Sequence, residues 1–263
     1  MDEVRSILSA MGPVAVAVSG GVDSLTLATL AHDVLGTRAR MVHATSPAVP
    51  ETATARVRTL AEARGWELQV IDAGEFADPN YRANPVNRCF FCKTNLYGAI
   101  AARTLSVEGR QILSGTNLDD LGEYRPGLEA ARAQAVRHPF VEAGIAKQGV
   151  RVLAASLGLG EIAELPASPC LSSRVETGIA IDPATLRMID RAEQALRRAL
   201  SPKTIRCRVR RAGLVIELDA EALGRLDPAT EGRLRDVLAD AGADGQAASF
   251  APYRNGSAFL QPA

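Results

Sequence analysis

The stretch SGGVDS, residues 19–24, constrains the fold of this chain more than any other segment. It follows the apolar run VAVAV at 14–18, and after it Leu27, Leu30 and Val34 recur at helical spacing. A short uninterrupted apolar run predicts a strand that is covered on both faces. Because two glycines occupy the turn between this strand and the helix, we expect something to approach the backbone closely there.

Strand and helix patterns alternate through the first part of the chain. The predicted strands lie at 14–18, 41–45, 68–71 and 112–116, and further helices at 51–64 and 94–104. Such alternation predicts an α/β fold with a mostly parallel sheet and helices on both faces. Ligands of such sheets bind at the carboxyl ends of the strands.

A proline- and serine-rich junction after about residue 165 marks a change of pattern. It is followed by a predicted helix at 183–200, strands at 204–209 and 214–218, and a helix at 230–241. We therefore predict one domain over residues 1–165 and a smaller C-terminal α/β domain over 166–263.

Composition narrows the classes of function. The 263 residues are 47% apolar, and 30 Lys and Arg balance 30 Asp and Glu. This balance lacks the basic patch of proteins that grip long nucleic acids, so we expect no nucleic-acid partner. No apolar run approaches the roughly 20 residues that span a bilayer, and the N-terminus begins with acids. We expect a cytoplasmic protein whose four cysteines are thiols or metal ligands rather than disulfides.

Two interpretations of the glycine loop remain open on the residues alone. One is a tight turn with a capped helix, because Gly20 and Gly21 permit positive φ and Asp23 or Ser24 can cap. The other is an anion site that combines backbone N–H groups, a helix N-terminus and serine hydroxyls, and it suits a pyrophosphate. The Walker loop G-x-x-x-x-G-K-[ST] and the dinucleotide fingerprint G-x-G-x-x-G are both absent.

SGGVDS directly after a first apolar strand resembles the loop of the PP-loop ATP pyrophosphatases, which have an adenine nucleotide alpha hydrolase-like fold. In that superfamily the loop holds the pyrophosphate part of ATP while a substrate oxygen attacks the α-phosphate. The resemblance implies ATP and Mg²⁺ as ligands of this chain. It places the ATP site at Ser19, Gly20, Gly21, Asp23 and Ser24, at Ala44 and Ser46 after the second strand, and at Gly115 and Thr116 after the fourth.

The cysteines form a C-x-x-C pair, Cys89 and Cys92, and two distant residues, Cys170 and Cys207. The pair fits a redox couple, half a zinc site, part of an iron–sulfur site or simple packing. A zinc Cys₄ site lacks its second C-x-x-C. Three thiolates can hold a cubane cluster with one iron open to external sulfide. The histidines have no ligand-like spacing to the cysteines and are expected to be structural, namely His32, His43 and His138.

Four segments together resemble the LarE family: NRCFFCK, GTNLDDLGEYRPGLEA, PASPCLSSR and TIRCRVR. These are ATP-dependent sulfurtransferases acting on a pyridinium-dicarboxylate mononucleotide, and they help to build the nickel-pincer nucleotide cofactor of lactate racemase. The resemblance runs from Ser19 to about Leu218. It implies a small nucleotide substrate and a homo-oligomer, and it leaves the sulfide donor unidentified. It also implies that the C-terminal domain, 166–263, serves substrate binding and sulfur transfer.

The family has two chemical forms. In one, a single cysteine near PASPCLSSR is a sacrificial sulfur donor and ends as dehydroalanine. The other form has three cysteines and resembles enzymes that hold a 4Fe–4S cluster and pass on sulfide. This chain matches the second form through Cys89, Cys92 and Cys170. Sacrificial use of Cys170 alone remains the alternative.

The resemblance also implies a phosphate site for the substrate, formed by Ser173, Arg174, Arg206 and Arg208. Two arginines two residues apart on a strand place both guanidinium groups on one face. Their forked geometry matches phosphate or carboxylate oxygens. The alternative is a solvated basic face of the strand.

The implied reaction is adenylation of a substrate carboxylate and replacement of AMP by sulfur. Arg125 is expected to hold a carboxylate or the adenylate, and Glu193 and Glu217 to bind a second divalent ion. The residues assigned to catalysis are Cys170, Cys89, Cys92, Asp23 and Arg125. Segment 76–88 is expected to be a mobile loop that keeps water from the adenylate. A tRNA thiolase and an ATP-binding module without catalysis remain as alternative functions.

Overall fold

The computed structural model describes residues 2–122, 126–243, 245 and 247–259, and of residues 105–108 the backbone alone. The strands are β1 (Val14–Ala17), β2 (Ala39–Ala44), β3 (Glu67–Ile71), β4 (Gln111–Leu113), β5 (Ile205–Arg210), β6 (Gly213–Leu218) and β7 (Ala248–Pro252). The α-helices are α1 (Asp2–Ser9), α2 (Val22–Leu35), α3 (Glu51–Arg64), α4 (Pro79–Arg82), α5 (Arg88–Glu108), α6 (Gly127–Ala133), α7 (Pro139–Glu142), α8 (Lys147–Ser156), α9 (Pro183–Leu200), α10 (Ala220–Gly224) and α11 (Pro228–Leu238).

The chain divides into two compact units. The first comprises Met1–Asp78 and Asn87–Ser168, and the second comprises Pro79–Val86 and Pro169–Ala263. The main division thus falls within the junction PASPCLSSR. The short stretch at 79–86 also belongs to the second unit, and no feature of its composition signals this.

The first unit is built on a four-stranded parallel sheet in the order β3-β2-β1-β4. Val14 of β1 is paired with Ala39 of β2 on one side and with Gln111 of β4 on the other. β1 is therefore an inner strand, as its apolar sequence predicts. The carboxyl ends of all four strands lie at one edge of the sheet.

Helices cover both faces of this sheet. Val14 and Val16 belong to an apolar cluster with residues of α1, α2, α3 and α8, whereas Ala15 packs with Tyr97 and Ile100 of α5. Alternate residues of a strand point to opposite faces, so these clusters lie on the two sides of the sheet. The predicted α/β fold class with a smaller C-terminal domain is confirmed.

The second unit contains a three-stranded sheet in the order β5-β6-β7. β5 and β6 form an antiparallel hairpin, and β7 adds to β6 in parallel. The long helix α9 begins at an Asp182 side chain that accepts the backbone N–H of Thr185. This carboxylate satisfies one of the donors that every helix start leaves open.

Several elements differ from their sequence-based boundaries. α5 begins at Arg88 rather than at 94, so the C-x-x-C motif is helical, and β4 is shorter than predicted. Segment 76–88 contains α4 rather than a loop alone. Within the second unit, the buried Tyr81 hydroxyl contacts Ser172 Oγ at 2.6 Å, and Asn84 Nδ2 donates to carbonyl oxygens of the 175–179 stretch. These bonds anchor part of the segment that we expected to be mobile.

Within the described ranges, no helix is long and apolar enough to span a bilayer.

Candidate functional site

The glycine loop is held by its own two serines. Ser24 Oγ accepts the backbone N–H of Ser19 at 3.1 Å, donates to the carbonyl of Gly21 at 3.1 Å, and lies 3.1 Å from Ser19 Oγ. The N-cap residue of α2, Gly21, makes no side-chain cap bond. The first turn of α2 therefore presents its N–H groups at the loop, which is the arrangement that favours an anion.

Two glycines allow neighbouring backbone segments to approach each other closely at the carboxyl edge of the sheet. Gly20 has a φ of +83°, and a Cβ there would lie 2.7 Å from the carbonyl oxygen of Ala53 in α3. A Cβ on Gly115, which follows β4, would lie 2.7 Å from the carbonyl carbon of Asp23 and 2.8 Å from the nitrogen of Ser24. Both positions require glycine, and the second brings the end of β4 directly against the loop.

Asp23 faces a cation that the sequence analysis missed. The Lys147 Nζ atom, at the start of α8, lies 2.5 Å from Asp23 Oδ2, and Asn117 Nδ2 donates to Asp23 Oδ1 at 3.3 Å. A second basic residue, Arg56 of α3, donates to the carbonyl of Gly20 at 2.6 Å, and burial lowers the pKa of its guanidinium. No motif marks either residue.

The other predicted ATP-site residues also lie at the carboxyl edge. Ala44 ends β2, and Ser46 Oγ accepts the N–H of Ala48 in the following turn. Thr116 Oγ1 lies 2.9 Å from Ser114 Oγ, which lies 2.8 Å from Nδ1 of His138. The first unit thus brings together strand ends that are nearly 100 residues apart in sequence.

The C-x-x-C motif lies at the start of α5, within its first five residues. Cys89 and Cys92 are three residues apart in a helix, so they share one side of it, and both are partly exposed. A Cβ on Gly127 of EYRPG would lie 3.6 Å from the carbonyl oxygen of Cys89 and 2.9 Å from Lys93 Cγ. Gly127 and the start of α5 are therefore neighbours. Arg125 lies outside the described residues.

In the second unit, Cys170 precedes a short 3₁₀ turn that arginine holds in place. Arg174 Nη1 donates to the carbonyls of Pro169 at 2.5 Å and Cys170 at 3.0 Å, and Ser173 Oγ donates to the carbonyl of Cys170 at 2.7 Å. Arg208 Nη1 donates to the carbonyl of Ser173 at 3.0 Å. The partly exposed Cys170 thus sits on a rigid support.

Buried carboxylates hold the two supporting arginines. Glu193 forms a two-bonded pair with Arg174, with both N–O distances 3.0 Å, and also accepts the N–H of Cys207. Burial raises the pKa of Glu193, but the Arg174 charge and bonds outweigh this, and the net pKa is lowered. Glu217 pairs with Arg208 at 3.0 Å. Arginine thus engages both carboxylates that we assigned to a divalent ion, and that assignment stays a prediction.

Arg206 lies beside this network. Its guanidinium carbon is 5.7 Å from the ring centre of Tyr253. Burial, followed by the like charge of Arg174, lowers the pKa of Arg206. The four residues predicted to bind phosphate all lie in the second unit and are buried, namely Ser173, Arg174, Arg206 and Arg208.

The cysteine thiols are suitable ligands for a soft metal, but they are divided between the two units. None of the four cysteines forms a disulfide, and Cys89, Cys92 and Cys170 are partly exposed. Within either unit taken alone, the described residues form no cluster of three His, Cys, Asp or Glu side chains that could hold a metal ion. The predicted cluster draws thiolates from both units and stays a prediction. Cys207 is fully buried, and this burial, followed by the negative charge of Glu193, raises the pKa of its thiol.

The helix-flanked parallel sheet, with a glycine loop at its carboxyl edge, defines a protein with a PP-loop-like α/β fold. No family model matches the chain. It is 36% identical to the uncharacterized protein slr1717 of Synechocystis over 85% of this chain and 82% of that one. It is 28% identical to the uncharacterized protein MJ0830 of Methanocaldococcus jannaschii over 69% and 68% of the two chains.

A further relative carries a descriptive name. The chain is 30% identical to the pyridinium-3,5-bisthiocarboxylic acid mononucleotide synthase of Lactiplantibacillus plantarum, over 80% of this chain and 76% of that protein. The chain therefore belongs to the family of this synthase, the LarE family.

Proposed function

We propose that this chain is an ATP-dependent sulfurtransferase of nickel-pincer nucleotide cofactor biosynthesis. It would convert a carboxylate of a pyridinium mononucleotide into a thiocarboxylate. The similarity to the 30% identical pyridinium-3,5-bisthiocarboxylic acid mononucleotide synthase supports this substrate class. The observation that carries the proposal is the contact of Gly115 with the Asp23–Ser24 backbone, because it joins the end of β4 to the anion-favouring start of α2.

The proposed first step activates the substrate. A carboxylate oxygen attacks the α-phosphorus of ATP, the bond to the β-phosphate oxygen breaks, and an acyl-adenylate and pyrophosphate form. The N–H groups of the loop stabilise the charge that develops on the pyrophosphate, and the hydroxyls of Ser19 and Ser24 hold the loop in the shape that presents them. Asp23 would hold the magnesium ion, which when bound neutralises phosphate oxygens. Ala44, Ser46 and Thr116 line the adenosine end of the proposed site.

The proposed second step introduces sulfur. A sulfur nucleophile attacks the activated carbonyl carbon, AMP leaves with the electron pair of the broken C–O bond, and a thiocarboxylate remains. Cys89, Cys92 and Cys170 would hold the 4Fe–4S cluster, which when bound supplies an open iron for external sulfide. The competing source is the thiolate of Cys170 itself, which would first form a thioester. A base would then take the Cα proton of Cys170 as its Cβ–Sγ bond breaks, which releases the thiocarboxylate and leaves dehydroalanine. In the proposed site, Ser173, Arg174, Arg206 and Arg208 bind the substrate phosphate, and Arg125 a carboxylate.

Anaerobic turnover with defined substrates tests this proposal. The purified chain is incubated with ATP, Mg²⁺, sulfide and a pyridinium-dicarboxylate mononucleotide. We expect AMP, pyrophosphate and a thiocarboxylate product by mass spectrometry. Ser24→Ala should lower the formation of all three, because it removes the hydroxyl that holds the loop. Cys207→Ala serves as a control variant and should retain turnover, because the Cys207 thiol is fully buried and has no role in the proposed reaction. ATP binding without pyrophosphate release in the presence of the mononucleotide would contradict the proposal.

The source of sulfur requires a separate measurement. Mass spectrometry of the protein before and after turnover distinguishes the two chemistries. The cluster hypothesis predicts that Cys170 is retained over many turnovers and that iron and sulfide copurify anaerobically. Loss of one H₂S from Cys170 per thiocarboxylate formed would support the sacrificial hypothesis instead.

A further inference from the structure

Lys147 is placed at the glycine loop by two independent constraints. It is the first residue of α8, and its backbone N–H donates to Asp119 Oδ2 at 3.1 Å. Its ammonium lies 2.5 Å from Asp23 Oδ2, with about a third of the Lys147 side chain exposed, 31%. The main chain of Lys147 is therefore fixed, while its side chain retains access to solvent and to the loop.

The negative charge of Asp23 opposes the binding of an anion at the loop, and the ammonium of Lys147 neutralises it. Asp23 lies in the first turn of α2, among the N–H groups and hydroxyls that favour an anion. Its carboxylate repels an incoming polyphosphate unless a cation neutralises it. Among the described residues, Lys147 forms the ion pair with Asp23, and Asn117 adds a neutral hydrogen bond.

We propose that Lys147 is a phosphate-binding residue that changes partner. It neutralises Asp23 as long as no nucleotide is bound, and it donates to a phosphate oxygen of the nucleotide when a divalent cation takes its place at Asp23. The ammonium offers three donors on a flexible four-carbon stem, so this exchange requires only new side-chain torsions. This inference rests on the proposed function, since it assumes that the loop binds the pyrophosphate part of ATP.

Calorimetric titration with inorganic pyrophosphate in Mg²⁺ tests this role without catalysis. We expect Lys147→Met to weaken binding about tenfold or more, because a charge-assisted hydrogen bond is lost. Lys147→Arg keeps the charge and should retain most of the affinity. Lys203→Met is the matched control, because Lys203 also pairs with a carboxylate, Glu221, but on the exposed surface of the second unit.

A second measurement uses the unmodified protein and does not depend on the folding of a variant. Amine acetylation is mapped by mass spectrometry with and without pyrophosphate and Mg²⁺. We expect pyrophosphate to slow acetylation of Lys147 several-fold and to leave Lys203 unchanged. Wild-type affinity in Lys147→Met, or equal acetylation of Lys147 in both conditions, overturns the inference and leaves the proposed function intact. A wild-type chain that binds neither pyrophosphate nor ATP overturns both.

Discussion

The Nδ1 atom of His43 lies 2.7 Å from the carbonyl oxygen of Val18, the residue immediately before the glycine loop. A carbonyl only accepts, so Nδ1 carries the proton, and Nε2 accepts the hydroxyl proton of Thr54 at 3.0 Å. The neutral ring thus ties the end of β1 to α3. Burial is the main cause that lowers the pKa of His43, the bond to Val18 opposes it, and the charge of Arg58 adds to the lowering.

The lowered pKa predicts a pH-dependent loss of stability. The unfolded imidazole has a pKa near 6.5, above that of the folded one, so the unfolded chain takes up the proton first. The contribution of His43 is present above pH 6.5 and is lost as the pH falls through the folded pKa. Urea midpoints of the wild type should therefore fall relative to those of His43→Gln between about pH 7.5 and pH 5. A pH-independent difference between the two proteins would contradict this.

Gly20→Ala should destabilise the chain and weaken pyrophosphate binding. The new Cβ lies 2.7 Å from the Ala53 carbonyl oxygen at a φ of +83°, so the loop must move. We expect a loss of about 2 kcal/mol in the free energy of unfolding. Gly12→Ala is the control, because its Cβ meets nothing within 4 Å. Equal unfolding curves for the two variants would refute the steric argument.

Thiol labelling of the native chain without bound metal should spare Cys207. That side chain is fully buried with a raised thiol pKa, whereas Cys89, Cys92 and Cys170 are partly exposed. Thiolate is the reactive form, so burial and protonation act in the same direction. Peptide mapping after maleimide treatment should show modification of the three partly exposed cysteines, and of Cys207 only after denaturation. Rapid native labelling of Cys207 would be inconsistent with its burial.

The buried pair of Arg174 and Glu193 should be costly to break. Removal of one partner leaves the other charge buried, so Glu193→Gln and Arg174→Met should each lower the free energy of unfolding by about 3 kcal/mol. Urea denaturation measures this loss. Glu221→Gln breaks the exposed pair with Lys203 and should leave the midpoint unchanged. Wild-type midpoints in both buried-pair variants would contradict the expected cost of leaving either charge buried without its partner.

Local patterns were sufficient to predict the parallel sheet. The uninterrupted run at β1 and the helical spacing after Gly21 are short-range signals, and the structure confirms the strand–helix alternation that they indicate. The early start of α5 was missed because Asn87–Phe91 carries no regular apolar spacing. β7 was missed because it is a short edge strand that ends at Pro252.

The long-range contacts of the site were beyond the sequence patterns. Lys147 reaches Asp23 across 124 positions, and Arg208 reaches the Ser173 carbonyl across 35. Charge pairs of this kind leave no periodic signal, because each partner alone is compatible with a solvated surface. The loop glycines were easier to identify, since closely spaced Gly and Ser at a strand end have few alternative uses.

The assignment of residues 79–86 to the second unit has a consequence for anyone who would separate the two halves. A C-terminal fragment that starts at Pro169 lacks Tyr81 and Asn84, and so leaves Ser172 and the carbonyls of the 175–179 stretch without these partners. No single cut divides the polypeptide along its units. The two units are interleaved along the chain and have to be expressed together. A separate C-terminal fragment would have to carry residues 79–86 as well.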